Sequence, residues 1–307
     1  MQTAYISHPL CLKHDMGAHH PESPARLHAI EDQLIAGGLL DYLQRHDAPE
    51  ATREQLLRVH DAAYLDAISA AAPKQGMVEL DPDTSMNPFS YPAALRAAGA
   101  AVMAVDLVMA GKVENAFCNI RPPGHHAERA RAMGFCIFNN VAVAAAHALA
   151  AHGLSRVAIA DFDVHHGNGT ENIFHDDPRV MLCSTFQHPF YPYAGADSGN
   201  DHMINVPLPA GTKGEGFRAA VTERWLPALE RFQPEFVFFS AGFDAHRDDD
   251  MAMLGLTEPD YAWVTQQVKA IAAKYSHRRI VSVLEGGYEL HALGRSAFAH
   301  VKVLAGL

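Results

Sequence analysis

The sequence predicts an α/β protein built on a single open, mostly parallel sheet flanked by helices, with its site at the C-terminal ends of the strands. Three observations predict this. Apolar runs of strand length alternate with helical periodicities along the whole chain. No linker, repeat or shift in composition divides it, so one domain over residues 1–307 is expected. Each notable polar cluster falls just after an apolar run, where the loops of an open α/β sheet converge on a ligand. The most informative stretch is Ala158-Ile-Ala-Asp161-Phe-Asp163-Val-His165-His166-Gly167-Asn168-Gly169, an apolar strand ending in a polar, glycine-closed knot. Alternation along an extended chain puts Asp161, Asp163 and His165 on one side and His166 on the other. Buried carboxylates and imidazoles must be paired or bound to a metal, and this donor set suits a divalent ion.

In chain order, Thr3 to Ile6 reads as the first strand. Ser23 is the expected cap of a helix that starts at Pro24, carries Leu27, Ile30 and Leu34 on one stripe and ends at Gly37-Gly38. Thr52 with Gln55 forms a capping box for a helix toward Val59. Residues 73–91, with Asp81 and Asp83, read as a long polar loop on the rim of a site. Pro92 opens an alanine-rich helix closed by Gly111. Ala116–Ile120 is a strand, and Arg121-Pro-Pro-Gly-His125-His126 is the loop at its end. Asn139 or Asn140 caps a second alanine-rich helix that Gly153 terminates. After the organising strand come strands over 179–184 and 203–206, and a helix stripe of Phe217, Val221, Leu229 and Phe232. Next are a strand from Phe236 to Asp244, a helix capped by Thr257 and Asp260, and a last strand over 280–284 that leads to Tyr288.

Composition narrows the function. The formal net charge is −11, which argues against a protein that tracks nucleic-acid phosphates. Cys11, Cys118, Cys136 and Cys183 are scattered with no Cys-x-x-Cys pair, as expected of reduced thiols in a cytoplasmic protein. No basic region followed by an apolar core opens the chain, so no signal peptide is expected. No uninterrupted apolar run approaches the ~20 residues that cross a bilayer, so no membrane partner is expected.

Five motifs in order resemble the zinc-dependent histone deacetylase family, with a class II flavour shared by bacterial amidohydrolases. They are Arg121-Pro-Pro-Gly-His-His-Ala127, Gly134-Phe-Cys-Ile-Phe-Asn-Asn140, Asp161-Phe-Asp-Val-His-His-Gly-Asn-Gly169, Gly242-Phe-Asp-Ala-His246 and Leu284-Glu-Gly-Gly-Tyr288. The resemblance implies the arginase/deacetylase fold. It also implies one Zn²⁺ (Fe²⁺ or Co²⁺ in its place) on Asp163, His165 and Asp244. His125 and His126 would be the tandem histidines, oriented by Asp161 and Asn168, with His126 the main general base and acid. Tyr288 would donate to the oxyanion. Gly134, Phe135 and Tyr191 would wall a channel for an acyl-lysine side chain, with Asp83 and Met251 at its rim. The family also binds structural K⁺, which here would involve Asp161, Asp163, His165, Ser184 and Thr185, with a second site near Phe174, Asp177 and Val180.

Rival readings lie close by. A two-metal arginase-like centre would need an additional carboxylate near Asp244, and Ser240-Ala-Gly-Phe-Asp244-Ala-His-Arg-Asp248 offers no second aspartate in a ligand position. Polyamine-selective relatives carry a glutamate where this chain has Met251, which favours an acyl-lysine or a less cationic substrate, with a small acylated amine as the alternative to a protein or peptide. The family's Asp-Pro-Leu is replaced here by Asp249-Asp250-Met251. A non-catalytic, metal-retaining module is disfavoured because Tyr288 and both histidines are present.

Overall fold

The computed structural model describes residues 2–307, so Met1, with which the leader reading and the domain reading began, lies outside it. The first half comprises β1 (Thr3–Ser7), α1 (Ala25–Ala36), β2 (Leu43–Asp47), α2 (Arg53–Leu57), α3 (Ala62–Ala71), β3 (Val78–Asp81), β4 (Thr84–Met86), α4 (Ser90–Met109), β5 (Asn115–Cys118) and α5 (Asn140–His152). The second comprises β6 (Val157–Asp161), α6 (Asn168–Phe174), β7 (Val180–Gln187), β8 (Met203–Leu208), α7 (Gly214–Ala220), α8 (Leu226–Phe232), β9 (Phe236–Ala241), α9 (Glu258–Tyr275), β10 (Ile280–Leu284) and α10 (Leu290–Ala305).

Eight strands form one sheet in the order β2-β1-β5-β10-β9-β6-β7-β8, and every neighbouring pair is parallel. Every residue of β5, β6, β7, β9 and β10 is buried, which is why these strands are apolar without alternation. β2 is the exception and the sequence reading missed it. It is an edge strand, and its Gln44, Arg45 and Asp47 face solvent. Helices α1, α9 and α10 pack as one layer, and α4 and α5 as another against the central strands. By length and composition α4 could cross a bilayer, although Arg96 and Asp106 interrupt its apolar run. Its apolar stripe is instead buried on the sheet and on α5.

Most caps stand where the sequence put them. The Thr52–Gln55 and Thr257–Asp260 boxes close in both directions, Asn139 accepts the Ala142 N–H at 3.0 Å, and Gly153 ends α5 at φ 65°. Three readings change. Pro24 takes helical dihedrals and occupies the capping position of α1 itself, so the Ser23 side chain caps nothing. Residues 73–91 are not a plain loop: Val78–Asp81 and Thr84–Met86 pair as an antiparallel hairpin, and α4 begins at Ser90. The Phe217–Phe232 stripe runs through a π-helical turn at Val221–Trp225, just before Pro227, which has no N–H to give to an α-helical ladder.

Candidate functional site

The four polar clusters leave β5, β10, β9 and β6, which are four adjacent strands, so topology alone brings them to one edge of the sheet. Glu285, at the end of β10, ties the group together. Its carboxylate accepts the Gly124 and His125 N–H groups at 2.7 and 3.1 Å and the Ser240 hydroxyl at 3.3 Å. Burial raises Glu285 to about 7 against the pull of His125 and these donors.

β6 ends at Asp161, so Asp163 and His165 lie beyond the strand rather than on it. The predicted sidedness holds all the same. Asp161 and Asp163 face the tandem histidines, while His166 turns to Ser184 and Glu171. One donor atom each from Asp163, His165 and Asp244 lies within 4.8 Å of the others, and all three side chains are buried. His165 Nδ1 stands 3.0 Å from Asp163 Oδ1 and 3.2 Å from Asp244 Oδ2. The remaining carboxylate oxygens are occupied: Asp163 Oδ2 accepts the Gly286 N–H at 2.8 Å, and Asp244 Oδ1 accepts that of Val164 at 2.9 Å. Asp244 Oδ2 is buried and receives no well-directed hydrogen bond. Burial opposes charge at all three groups. It raises Asp244 to about 6, with the Asp163 charge adding to it, while facing imidazoles hold Asp163 well below the carboxylate range. At His165, the bond to Asp163 and the facing Asp244 carboxylate outweigh burial and raise it to about 9. The cluster therefore demands positive charge between its donors. One imidazole and two carboxylates fit a small divalent cation there.

The two histidines that follow β5 sit in opposite electrostatic surroundings. His125 Nδ1 is 3.0 Å from Asp161 Oδ2, and Nε2 is 3.8 Å from Asp163 Oδ2. Burial works against its charged form, but Asp163, Asp161 and Glu285 together hold it well above the usual range. His126 Nδ1 is 2.7 Å from Asn168 Oδ1. The Asn168 amide donates its NH₂ to Glu128 Oε1 at 2.8 Å, which fixes its oxygen toward the ring. His126 therefore carries its hydrogen on Nδ1 and keeps a lone pair on Nε2. Burial, then the charges on His125 and His165, hold His126 well below the usual range and so neutral.

A cavity of about 170 Å³ opens onto this cluster. All the expected channel residues line it, Asp83, Gly134, Phe135, Tyr191 and Met251, together with His126, His165 and Tyr288. Phe190, which the sequence reading passed over, lines it too and stacks on His165 at 5.6 Å. The hairpin of β3 and β4 sets the rim. Asp83 Oδ1 accepts the Gly134 N–H at 3.0 Å, and Thr84 accepts that of Phe135 at 2.9 Å. Gly134 has φ +58°, and a Cβ there would lie 2.4 Å from the His126 ring, so the wall can approach the histidine only as glycine.

The floor under Tyr288 is a buried charge network, of whose side chains the motifs contain only Arg121. Arg26 lies 4.9 Å from the Tyr288 ring, donates to Gly287 O at 2.6 Å and to Glu285 O, and bonds Glu22 at 3.1 Å. Arg121 forks onto the same Glu22 and donates to the carbonyls of Cys11 and His14, both at 2.9 Å. Burial raises the Tyr288 phenol well above its usual range, which Arg26 opposes, so it stays a donor. Asp249 accepts the backbone N–H groups of Tyr288, Glu289 and Met251 at 2.6, 3.0 and 3.0 Å.

The residues expected around K⁺ fall into two places. Asp161 pairs with Ser184 in the β6–β7 register, next to Thr185, Asp163 and His165. Phe174, Asp177 and Val180 form the separate turn from α6 into β7, where the Phe174 and Asp177 carbonyls accept the Asp177 and Val180 N–H groups.

Comparison with known proteins bears on all of this. Residues 20–304 match the family profile described as the histone deacetylase domain. A histone deacetylase-like amidohydrolase of Pseudomonas aeruginosa is 37% identical across 100% of this chain and 87% of its own length. The human polyamine deacetylase HDAC10 is 38% identical over 93% of this chain and 44% of its own. The crystal structure of the HDA15 HD domain superposes with a TM-score of 0.92 at 36% identity, covering 99% of this chain and 88% of that one. With a matching profile over nearly its whole length, a wholly parallel sheet of the same architecture and relatives named as deacetylases and amidohydrolases, the chain belongs to the histone deacetylase family and is a deacetylase-type amidohydrolase.

Proposed function

We propose that the protein hydrolyses the amide of N-acyl-lysine side chains in proteins or peptides, with one Zn²⁺ held by Asp163, His165 and Asp244. The observation that carries the reading is a narrow channel, largely apolar, that ends at a cation-demanding cluster beside a neutral, correctly tautomerised histidine. Bound there, the ion would supply Lewis-acid polarisation of the acyl carbonyl and acidify a water molecule. His126 Nε2 takes the proton as the water oxygen bonds to the acyl carbon. The same nitrogen returns a proton to the leaving lysine amine as the C–N bond breaks. Tyr288 donates its hydroxyl hydrogen to the oxyanion, and charged His125, held by Asp161, adds positive potential. Phe135 and Tyr191 clasp the methylene stem, Asp83 meets the substrate's backbone at the rim, and Met251 presents no carboxylate to a second ammonium. K⁺ near Asp161 and Ser184 would stiffen the end of β6.

Turnover of acetyl-lysine peptide, longer acyl-lysine peptides and N-acetylputrescine, each with and without chelator, tests this. The expected result is chelator-sensitive hydrolysis with kcat/KM for a peptide at least about tenfold above that for N-acetylputrescine, a difference of about 1.4 kcal/mol. The opposite ranking makes the protein a small acyl-amine hydrolase. No turnover by metal-loaded protein leaves a binding module. Tyr288→Phe is expected to keep its metal and lose about 10²–10³ in kcat.

A further inference from the structure

We propose that Asp106, His147 and His152 form a second transition-metal site, which takes a Zn²⁺, Ni²⁺ or Cu²⁺ ion across the seam between α4 and α5. The Nε2 atoms of His147 and His152 each stand 2.7 Å from the same carboxylate oxygen, Asp106 Oδ1. Donor atoms of all three residues lie within 4.8 Å of one another. The two imidazole rings have centroids 5.4 Å apart and planes at 78°. Two imidazoles bound to one tetrahedral ion through bonds of about 2.0–2.1 Å hold their ring centres about 5 Å apart and their donors about 3.3 Å apart. An opening of about half an ångström therefore converts the cluster into a nitrogen-nitrogen-oxygen ligand set.

The backbones that carry it are fixed, because α4 and α5 pack against each other and α5 is buried along most of its length. One side stays open, since Asp106 is half exposed and His152 partly so, giving an ion its entry and room for water to complete the coordination. The site is distinct from the hydrolytic centre. Asn139, at the start of α5, bonds Ala127 beside His126, whereas His147 and His152 lie in the helix's C-terminal half.

Arg58 competes with the ion. Its Nη1 donates to His147 Nδ1 at 2.7 Å, so His147 carries its hydrogen on Nε2, facing Asp106. Coordination at Nε2 moves that hydrogen to Nδ1, which then meets the guanidinium donor to donor, and Arg58 must swing away. Its other partner, Glu54, is a solvent-exposed side chain, so the guanidinium has a place in water. A purely structural clasp and a metal site thus answer oppositely to the loss of Arg58.

Tag-free enzyme, loaded with Zn²⁺ at its hydrolytic centre and desalted, is titrated calorimetrically with ZnCl₂, and with CuCl₂ for electron paramagnetic resonance. The expected result is one further equivalent bound and a copper spectrum coupled to two nitrogens. His152→Ala and Asp106→Asn should each lose that equivalent while keeping the first equivalent and the turnover, and Arg58→Met should tighten the second by about tenfold. Failure of both wild type and Arg58→Met to take a second equivalent overturns the proposal, as does a second equivalent that survives His152→Ala. Stoichiometry is read separately from turnover, so neither result depends on the substrate.

Discussion

Gly286 shows how closely the cation-binding side chains are fitted. A Cβ at this position would stand 2.1 Å from Asp244 Oδ2 and 2.6 Å from Asp163 Oδ2, while its N–H already holds the latter oxygen. Gly286→Ala must push both carboxylates away from His165. The expected outcome is a folded protein whose purified metal content is well below one equivalent and whose affinity is lower by about tenfold or more. Metal analysis beside a circular-dichroism spectrum checks it, and full occupancy in the variant would remove this glycine from the argument. At this scale the sequence was readable where chemistry and spacing coincide, as in Asp163-Val-His165 or His125-His126. It was silent about how Arg26, Glu22 and Arg121 meet: Glu22 is four residues from Arg26, but Arg121 lies 99 residues from Glu22 and Gly287 lies 261 from Arg26. A buried arginine looks like any other arginine until the fold supplies Gly287 and Glu285 to meet it.

Asp249 joins two elements that no local pattern connects: the loop after β9, which carries Met251 at the channel rim, and the turn after β10, which presents Tyr288. It is 4% exposed, and both its oxygens are spent on backbone N–H groups. The replacement of the family's proline and leucine by Asp250 and Met251 therefore leaves the anchoring aspartate in place. Each hydrogen bond to a buried charge contributes about 1.5–3 kcal/mol. Asp249→Ala is expected to lower kcat by about tenfold or more through misplacement of the phenol, and to raise KM as Met251 loosens, with metal content unchanged. Asp249→Asn, which keeps an acceptor oxygen, should recover part of kcat. If Asp249→Ala has wild-type kcat, the two loops are positioned by something else. Elements were legible in proportion to their burial. β6, β9 and β10 announced themselves by unbroken apolar runs, whereas the β3–β4 hairpin hid in a polar stretch because its strands are short and only partly buried. Its job is to carry Asp83 and Thr84 to the channel wall, which depends on contacts 51 residues away.

For the molecule as a whole, the packing of the helical layers and the rim against the rest rests partly on histidines that are buried uncharged. His60 Nδ1 donates to Glu128 O, and Nε2 accepts the Asn139 N–H, both at 3.0 Å, so the ring staples the start of α5 to the loop after His126. His300 on α10 sits between Thr265 of α9 at 2.6 Å and Ser282 of β10 at 2.8 Å. The Thr265 hydroxyl gives its hydrogen to Tyr261 O, so His300 Nδ1 is the donor and Nε2 the acceptor from Ser282. Burial, opposed at His60 by the Glu128 carbonyl, lowers His60 to about 4, and burial lowers His300 to about 3, from an ordinary 6.5. Above 6.5 both states of the protein hold these rings neutral, and the full stability is present. As pH falls below 6.5 the unfolded chain takes up protons that the native state refuses, so stability is lost progressively toward pH 4 and 3. At pH 5 each ring costs about 2 kcal/mol, about 4 kcal/mol for the pair, a large share of a typical domain's stability. Glu285, raised to about 7, gains about 2 kcal/mol over the same interval and offsets part of that drop, so the test is differential: between pH 7 and pH 5, urea unfolding of metal-loaded His60→Gln should lose about 2 kcal/mol less than the wild type. An equal loss in His60→Gln and the wild type would mean that the His60 ring finds a way to be protonated in place.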